Sequence, residues 1–323
     1  MQSISLTRSE QLWSFFLYLE SKGYDIEPLL AKNLIPPRAK YDSSVSITSI
    51  QSYGFLGDVI NQFKLKDLGW QVGQQFGAEA LGGLTIDAFA QGGQRALAKL
   101  NEASRSHATN ARFFVLKDKH QFELCNIGSM PAKTEAIRQA EHYLTAIYID
   151  FVRRAFNRSD YFPTCVKFRS SLGDYLPPAL SKIQTHFDQP YFSIDIPIDW
   201  YKETRAKPVV PTLIAPMTLS DTLGELIESH LDSGMPTIEG VSRITDVKTR
   251  NLQRELALEG TNYKQLVLDV RMRAAARFLA EESLSIADVS EQLCYSQPSH
   301  FVRAFRKWRG ITPLQYRASL IAA

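Results

Sequence analysis

Only three cysteines, Cys125, Cys165 and Cys294, occur in 323 residues. That is too few and too scattered for a disulfide framework, and it points to reduced thiols in a reducing compartment. Long apolar runs are missing as well. The amino terminus has no basic segment followed by a long apolar core, and Leu12 to Leu19 is broken by Ser14 and too short to span a bilayer. No membrane role is expected, and the chain reads as cytoplasmic; without secretion the sequon Asn157-Arg158-Ser159 carries no meaning. Charge of one sign is scarce too, since 37 Lys and Arg against 34 Asp and Glu leave a formal net charge of +3. A phosphate-cradling loop, a dinucleotide fingerprint, a nucleophile elbow and a metalloprotease helix are all absent. Gly82-Gly83 and Gly92-Gly93 are isolated pairs that read as turns, and the six histidines (His107, His120, His142, His186, His230, His300) fall at no metal-ligand spacing. The expectation is therefore no catalytic residue, no metal, no cofactor and no enzyme.

What is present is apolar material for two cores: 44% of the residues are hydrophobic, ordinary for a chain long enough to form two domains. Gln11 to Leu19 has helical spacing and Gly23 ends it. Ile26 to Leu34 gives a second helix, stopped by Pro36-Pro37, and Ser49 to Phe63 a third. The pattern then changes. Leu84 to Ala90 reads as a strand, Arg95 to Ala103 as a helix, and Phe113 to Leu116 with Gln121 to Ile127 as a hairpin around Lys117-Asp118-Lys119. A longer helix is predicted from Glu135 to Phe156, a strand from Thr164 to Phe168, a helix across Leu176 to His186 and a strand near Phe192 to Ile196. Helices first and a mixed alternation later predict an α+β domain. Within it Cys125 alternates with Phe and Leu and reads as a buried structural thiol. Pro208, Pro211 and Pro216 mark residues 207–216 as a semi-rigid linker, which divides the chain into residues 1–206 and 217–323.

The second part is organised differently. Thr218 to Leu231 is an amphipathic helix with Gly234 just past its end. One helix-turn-helix pattern then occurs twice. In the later copy Ser285 sits at an N-cap position with Asp288 three residues on, and Ile286, Val289 and Leu293 follow at helical spacing. Cys294-Tyr295 interrupt the pattern, and Ser296 is placed to cap a new helix with Pro298 in its first turn. On that helix Phe301, Phe305 and Trp308 form one apolar stripe, while Ser299, His300, Arg303, Arg306 and Lys307 lie on the other side. The earlier copy runs from Thr237 through Val241 and Ile244, turns at Thr245-Asp246, and resumes with Leu252 and Leu256 as packing positions. Lys248 sits at the N-cap position of this helix; Arg250, Asn251 and Arg254 project away from its stripe, and Gln253 flanks it. Between the copies, Tyr263 to Ala280 lacks Gly and Pro and predicts a continuous helix roughly 27 Å long. Such a strut can hold two helices at about the 34 Å between successive major-groove turns on one face of B-DNA.

Residues 217–323 hold 13 Lys and Arg and 13 Asp and Glu, so distribution matters more than the total. After Glu291 there are five basic residues and no acidic one, and Lys248, Arg250 and Arg254 cluster on one short helix. Two such clusters on two spaced helices point to nucleic acid.

This segment resembles the DNA-binding domain of the AraC/XylS transcription regulators. The tail Ala304-Phe305-Arg306-Lys307-Trp308-Arg309-Gly310-Ile311-Thr312-Pro313-Leu314-Gln315-Tyr316-Arg317 is similar to that family's signature. Leu252-Gln253-Arg254, Arg271 and Leu279 fit it too. Where family turns carry Gly this chain has Asp246 and Cys294, and where supporting helices carry Ala it has Ser242 and Ser290. Leu68-Gly69-Trp70-Gln71-Val72-Gly73, Gly82-Gly83-Leu84, Ala96-Leu97 and Val166-Lys167-Phe168 resemble the arabinose-binding-type regulatory domain of the branch that includes ornithine-utilisation regulators. The resemblance implies an α+β N-terminal regulatory domain plus an all-α C-terminal domain with two helix-turn-helix motifs joined by a long helix. It implies a sequence-specific, effector-responsive activator that binds double-stranded DNA through Lys248, Arg250, Asn251, Gln253, Arg254, Ser299, His300, Arg303, Arg306 and Lys307, with Arg254 and Arg303 as base readers. A homodimer, a small-molecule effector of unassigned site and, for an activator, RNA polymerase complete the expected partners. The alternatives are a first domain that is a protein-interaction module, or an enzyme tethered to DNA.

Overall fold

The computed structural model describes residues 4–81, 89, 92–107, 112–117, 121–128, 134–171, 173, 175–202, 217–231, 234, 236–281 and 283–321. They fall into two compact units, the first within Ser5–Pro216 and the second within Met217–Ala323, with Ile4 grouped in the second.

The first unit opens with a short strand, β1 (Leu6–Arg8), and two helices, α1 (Glu10–Ser21) and α2 (Glu27–Lys32). Gly23 ends α1 in the left-handed region at φ +79°, a conformation that suits a residue without Cβ. Next come β2 (Ser46–Thr48), which pairs antiparallel with β1, and α3 (Ser49–Phe63). Thr48 and Gln51 form a reciprocal capping box at the start of α3, satisfying two N–H groups that the first turn leaves without partners. Then follow α4 (Leu68–Phe76), α5 (Gly93–His107), β3 (Arg112–Lys117), β4 (Gln121–Ile127), α6 (Glu135–Ala155), β5 (Cys165–Lys167), β6 (Gln184–His186), β7 (Phe192–Pro197) and α7 (Ile198–Lys202). A five-stranded sheet runs β3-β4-β7-β5-β6, antiparallel except where β5 pairs with β6.

The long helix α6 is central to this unit: α3, α4 and α5 all pack on it, and Phe151 and Val152 are wholly buried. The glycines of α4 explain the close approach. A Cβ on Gly69 would lie 1.8 Å from the Gln139 carbonyl oxygen, and one on Gly73 would lie 2.7 Å from the Ala146 Cβ. The two backbones are in contact there, and Gln139 fastens them by accepting from the Gly69 N–H at 2.9 Å and donating to the Lys66 carbonyl at 2.6 Å. The Leu-Gly-Trp-Gln-Val-Gly stretch is thus a helix crossing.

One expectation needs correction and three fall outside the described residues. Leu176 to His186 is not a helix: Pro177-Pro178 precede a single 3-10 turn, Leu180–Lys182, and the chain then extends into β6. Two consecutive prolines remove backbone donors, and the β-branched Ile183 and Thr185 favour the strand. Apart from Phe89, the strand expected at Leu84 to Ala90 lies outside the described residues, as do the Gly82-Gly83 pair and the 207–216 linker. Cys125 is buried on β4, and burial pushes its thiol up to about 12, as a structural role requires.

The second unit is helical throughout its described residues: α8 (Leu219–Glu228), α9 (Ile238–Thr245), α10 (Thr249–Leu258), α11 (Tyr263–Phe278), α12 (Ile286–Gln292), α13 (Pro298–Arg309) and α14 (Pro313–Ile321). Helix α8 packs on the strut α11, where Val270 and Leu266 lie against Gly224, and its Leu223, Leu226 and Ile227 are buried. Its start is capped from a distance, because the Glu259 carboxylate accepts from the Leu219 and Ser220 N–H groups at 2.8 and 2.9 Å. Burial opposes ionisation of Glu259, yet the hydrogen bonds from Ser220 and Leu219 prevail and hold the carboxyl below its usual range.

Candidate nucleic-acid interface

The first helix pair is α9 and α10. Thr237 caps α9 by accepting from the Gly240 N–H at 3.1 Å. Val241 and Ile244 on α9 and Leu252 and Leu256 on α10 are buried. Between the helices Asp246 adopts φ +54°, the left-handed conformation for which Gly is suited and which Asp tolerates better than most residues. Lys248 is the N-cap of α10, and no side chain caps the helix there. A missing cap oxygen costs roughly 1 kcal/mol.

The second pair is α12 and α13. Ser285 and Asp288 form a reciprocal capping box with bonds of 2.7 and 3.1 Å. Val289, Leu293, Phe301 and Phe305 are buried, whereas Trp308, expected to complete the stripe, stays 37% exposed beside Phe305. The cap of α13 is a further correction. Gln297, not Ser296, occupies that position and makes no side-chain capping bond; the Ser296 hydroxyl pairs instead with the His300 ring at 3.4 Å. Neither reading helix therefore has a side-chain cap.

The strut holds the second turn in a way the sequence did not reveal. The Arg271 guanidinium lies 4.9 Å from the centre of the Tyr295 ring and donates to the Cys294 carbonyl at 3.3 Å. Cys294 itself takes φ +56°, and its thiol donates to the Leu231 carbonyl at 2.7 Å. One arginine of α11 and the end of α8 thus fix a turn whose residue would otherwise favour another conformation. At the other end of the strut the Tyr263 hydroxyl donates to the Pro236 carbonyl at 2.5 Å, just before α9. The tail signature also gains a physical account: Gly310 ends α13 at φ +83°, Thr312 and Gln315 cap α14, and the Arg317 side chain donates to the Leu279 carbonyl at 3.1 Å.

On this frame Lys248, Arg250, Gln253 and Arg254 are exposed and Asn251 is half-buried on the first pair, and Ser299, His300, Arg303, Arg306 and Lys307 are exposed on the second. Within each pair they share the helix that carries the buried stripe. Arg254 is engaged with Glu255 at 2.8 Å, while Arg303 forms no ion pair among the described residues. Sequence reasoning passed over Ser296 and Gln297, which are exposed at the start of α13, where a reading helix meets base edges; it had given Ser296 only the cap and Gln297 no role.

Two helix-turn-helix pairs on one strut, each with a buried stripe and an opposed basic face, define a double helix-turn-helix DNA-binding domain. Comparison with known proteins specifies the type. A family model described as a helix-turn-helix domain matches residues 241–319. The regulator VirS of Mycobacterium tuberculosis is 38% identical over 101 residues, covering 31% of this chain and 30% of that protein. The ornithine utilization regulator of Pseudomonas aeruginosa is 28% identical over 163 residues, covering 44% and 48%. The transcriptional activator CfaD of Escherichia coli is 30% identical over 138 residues, covering 42% and 52%. The matched segments thus span about half or less of these relatives. Among solved structures, the regulator CdpR of Pseudomonas aeruginosa is 19% identical, with a TM-score of 0.34 over 91% of this chain and 98% of that one. Residues 241–319 of this chain carry a helix-turn-helix domain of the AraC type.

Proposed function

We propose that the chain is an effector-responsive, sequence-specific transcription regulator, an activator in its main role, and not an enzyme. The observation that carries this reading is the pair of exposed basic faces set on one continuous strut. The strut has 16 residues, roughly 24 Å of helix, and the domain that contains it can lay both reading helices in successive major grooves. Arg254 and Arg303 read bases, and Lys248, Arg250, Arg306 and Lys307 hold phosphates. Asn251, Gln253, Ser299 and His300 add hydrogen bonds at either kind of site.

Residues 1–206 sense a small molecule and form the homodimer, residues 207–216 link the two domains, and the activator contacts RNA polymerase. No helix among the described residues is long and apolar enough to cross a membrane, which fits a cytoplasmic regulator. Selection of binding sites by the full chain from random duplex DNA tests this. Enriched sites should contain two blocks about one helical turn, 10 to 10.5 base pairs, apart, and affinity should fall steeply with salt. No enrichment, or a single block, would overturn it. Sedimentation of the free and DNA-bound chain tests the dimer, and a monomer in both would remove it.

A further inference from the structure

The first unit contains a pocket of about 170 Å³ between α1, α3, α5 and α6. Its wall is largely apolar, with Leu12, Phe15, Leu56, Leu100, Leu144 and Ile147 prominent, and the Phe15 and Tyr143 rings stand 4.8 Å apart, tilted by 49°. From this pocket we infer the effector class: a compact, uncharged molecule of about one aromatic ring, carrying at most one or two polar atoms. The inference rests on reading this unit as the sensor.

Size comes first. An apolar cavity of about 150 Å³ is enough for benzene, so this one takes a ring and little more. The polar wall comes second, and most of it is already committed. The Ser52 hydroxyl donates to the Thr48 carbonyl at 3.2 Å, the Ser49 hydroxyl to that of Ser5 at 2.9 Å, and the Tyr143 hydroxyl to that of Ser14 at 3.4 Å. Tyr148 is hydrogen-bonded to Asn126. A pentose or an amino-acid zwitterion would bring several donors and acceptors to a wall with few left to meet them, and buried polar groups without partners are unfavourable.

Charge comes third. Glu10 is the one charged side chain among the described lining residues, so none of those residues offers a carboxylate a cation. The Arg169 guanidinium is not part of that lining; it stands beside Gly128 and acts on the buried Glu141 carboxylate and on the Tyr53 hydroxyl, where its effect is smaller than that of burial. The exceptions among the described lining residues are Gln11, at the exposed edge, and Tyr53, further in. The Tyr53 hydroxyl has no hydrogen-bond partner among the described residues and lies 3.8 Å from where a Cβ on Gly128 would be. Burial raises its pKa, keeping it a neutral donor. Tyr53 therefore sets the ligand's polar atom, while the rings and aliphatic side chains enclose the rest.

Titration calorimetry on the full-length chain tests this with p-cresol, indole and toluene against L-arabinose, L-ornithine and hexanoate. The three ring compounds should bind and the three polar ones should give no heat. Tyr53→Phe should weaken p-cresol about tenfold, or about 1.4 kcal/mol, and leave toluene within about twofold. Ala140→Leu and Leu144→Trp each fill the pocket and should abolish all three, with thermal unfolding as the check that each variant is folded. Two filled, folded variants that still bind, or binding of arabinose, ornithine or hexanoate in place of the rings, would overturn the assignment. Loss of DNA binding by the wild-type chain would sink the regulator reading and leave this result standing; ring binding that leaves DNA affinity unchanged would separate the pocket from regulation.

Discussion

The hydroxyl of Ser290 offers a sharp test of how well the second helix pair is understood. Ser290 lies on α12, is 1% exposed, and its Oγ is buried without a hydrogen-bond partner among the described residues. A buried polar atom left without a partner costs about 1 to 3 kcal/mol, and Ser is a poorer helix former than Ala by about 0.5 kcal/mol. Ser290→Ala removes one oxygen and leaves no hole of consequence, so it should stabilise the domain by about 1 to 2 kcal/mol. For a domain of roughly 100 residues, each 1 kcal/mol raises Tm by about 4 to 8 °C. The first pair provides a control, because Ser242 occupies the corresponding place on α9 and is only half-buried. Ser242→Ala should shift stability by no more than about 0.5 kcal/mol. Calorimetric unfolding of residues 217–323 measures both. A neutral or destabilising Ser290→Ala would mean that the hydroxyl has a partner and that α12 packs differently.

Other outcomes follow from single contacts. Arg271→Lys keeps the charge but loses the planar stack on Tyr295 and the bond to Cys294, so it should destabilise the second unit by about 1 to 2 kcal/mol; a double-mutant cycle with Tyr295→Leu should show coupling of at least about 0.5 kcal/mol, and additivity would refute the clamp. Lys248→Ser supplies α10 with a cap oxygen and should add roughly 1 kcal/mol of stability, yet remove a phosphate contact and flatten the salt slope by about one unit; an unchanged slope would refute that role. Burial, assisted by the charge of Arg138, lowers His142 from 6.5 to about 4, and neither ring nitrogen has a hydrogen-bond partner among the described residues. Because the folded value is depressed, the unfolded chain takes up the proton first, so this stability is present above pH 6.5 and is lost as pH falls towards 4, up to about 3 kcal/mol in all. His142→Leu should remove that pH dependence, as urea titrations across the window would show; an equal slope in the variant would assign the dependence to other groups.

How much the sequence disclosed depended on the range of each interaction. Ser285 with Asp288 is a local code, and that cap stands where the spacing placed it. The stripe of α13 was legible in Phe301 and Phe305 for the same reason. Contacts between distant segments were not. Nothing near Arg271 announces that it will grip a turn 23 residues further along the chain. Helix α4 was hidden because Gly69 and Gly73 are poor helix formers, chosen for contact with α6 rather than for propensity. The three-residue strands β1, β2 and β6 are too short for alternation to register. The cap of α13 missed by one residue, the ordinary uncertainty at a helix end.

That miss changes the argument about the two reading helices. A side-chain cap on α13 would favour it as the base reader, but α10 and α13 both lack one. What favours α13 is that Arg254 is engaged with Glu255, whereas Arg303 forms no ion pair among the described residues. Binding of Arg303→Ala and Arg254→Ala to a library of operator point variants, at several salt concentrations, is the most direct test that these helices read DNA. Loss of Arg303 should cost about 1 to 3 kcal/mol and relax preference at a limited set of base pairs, and loss of Arg254 should do the same more weakly. If both variants keep every base preference and only flatten the salt dependence, the two helices anchor the protein on phosphates and the reading of this domain is wrong.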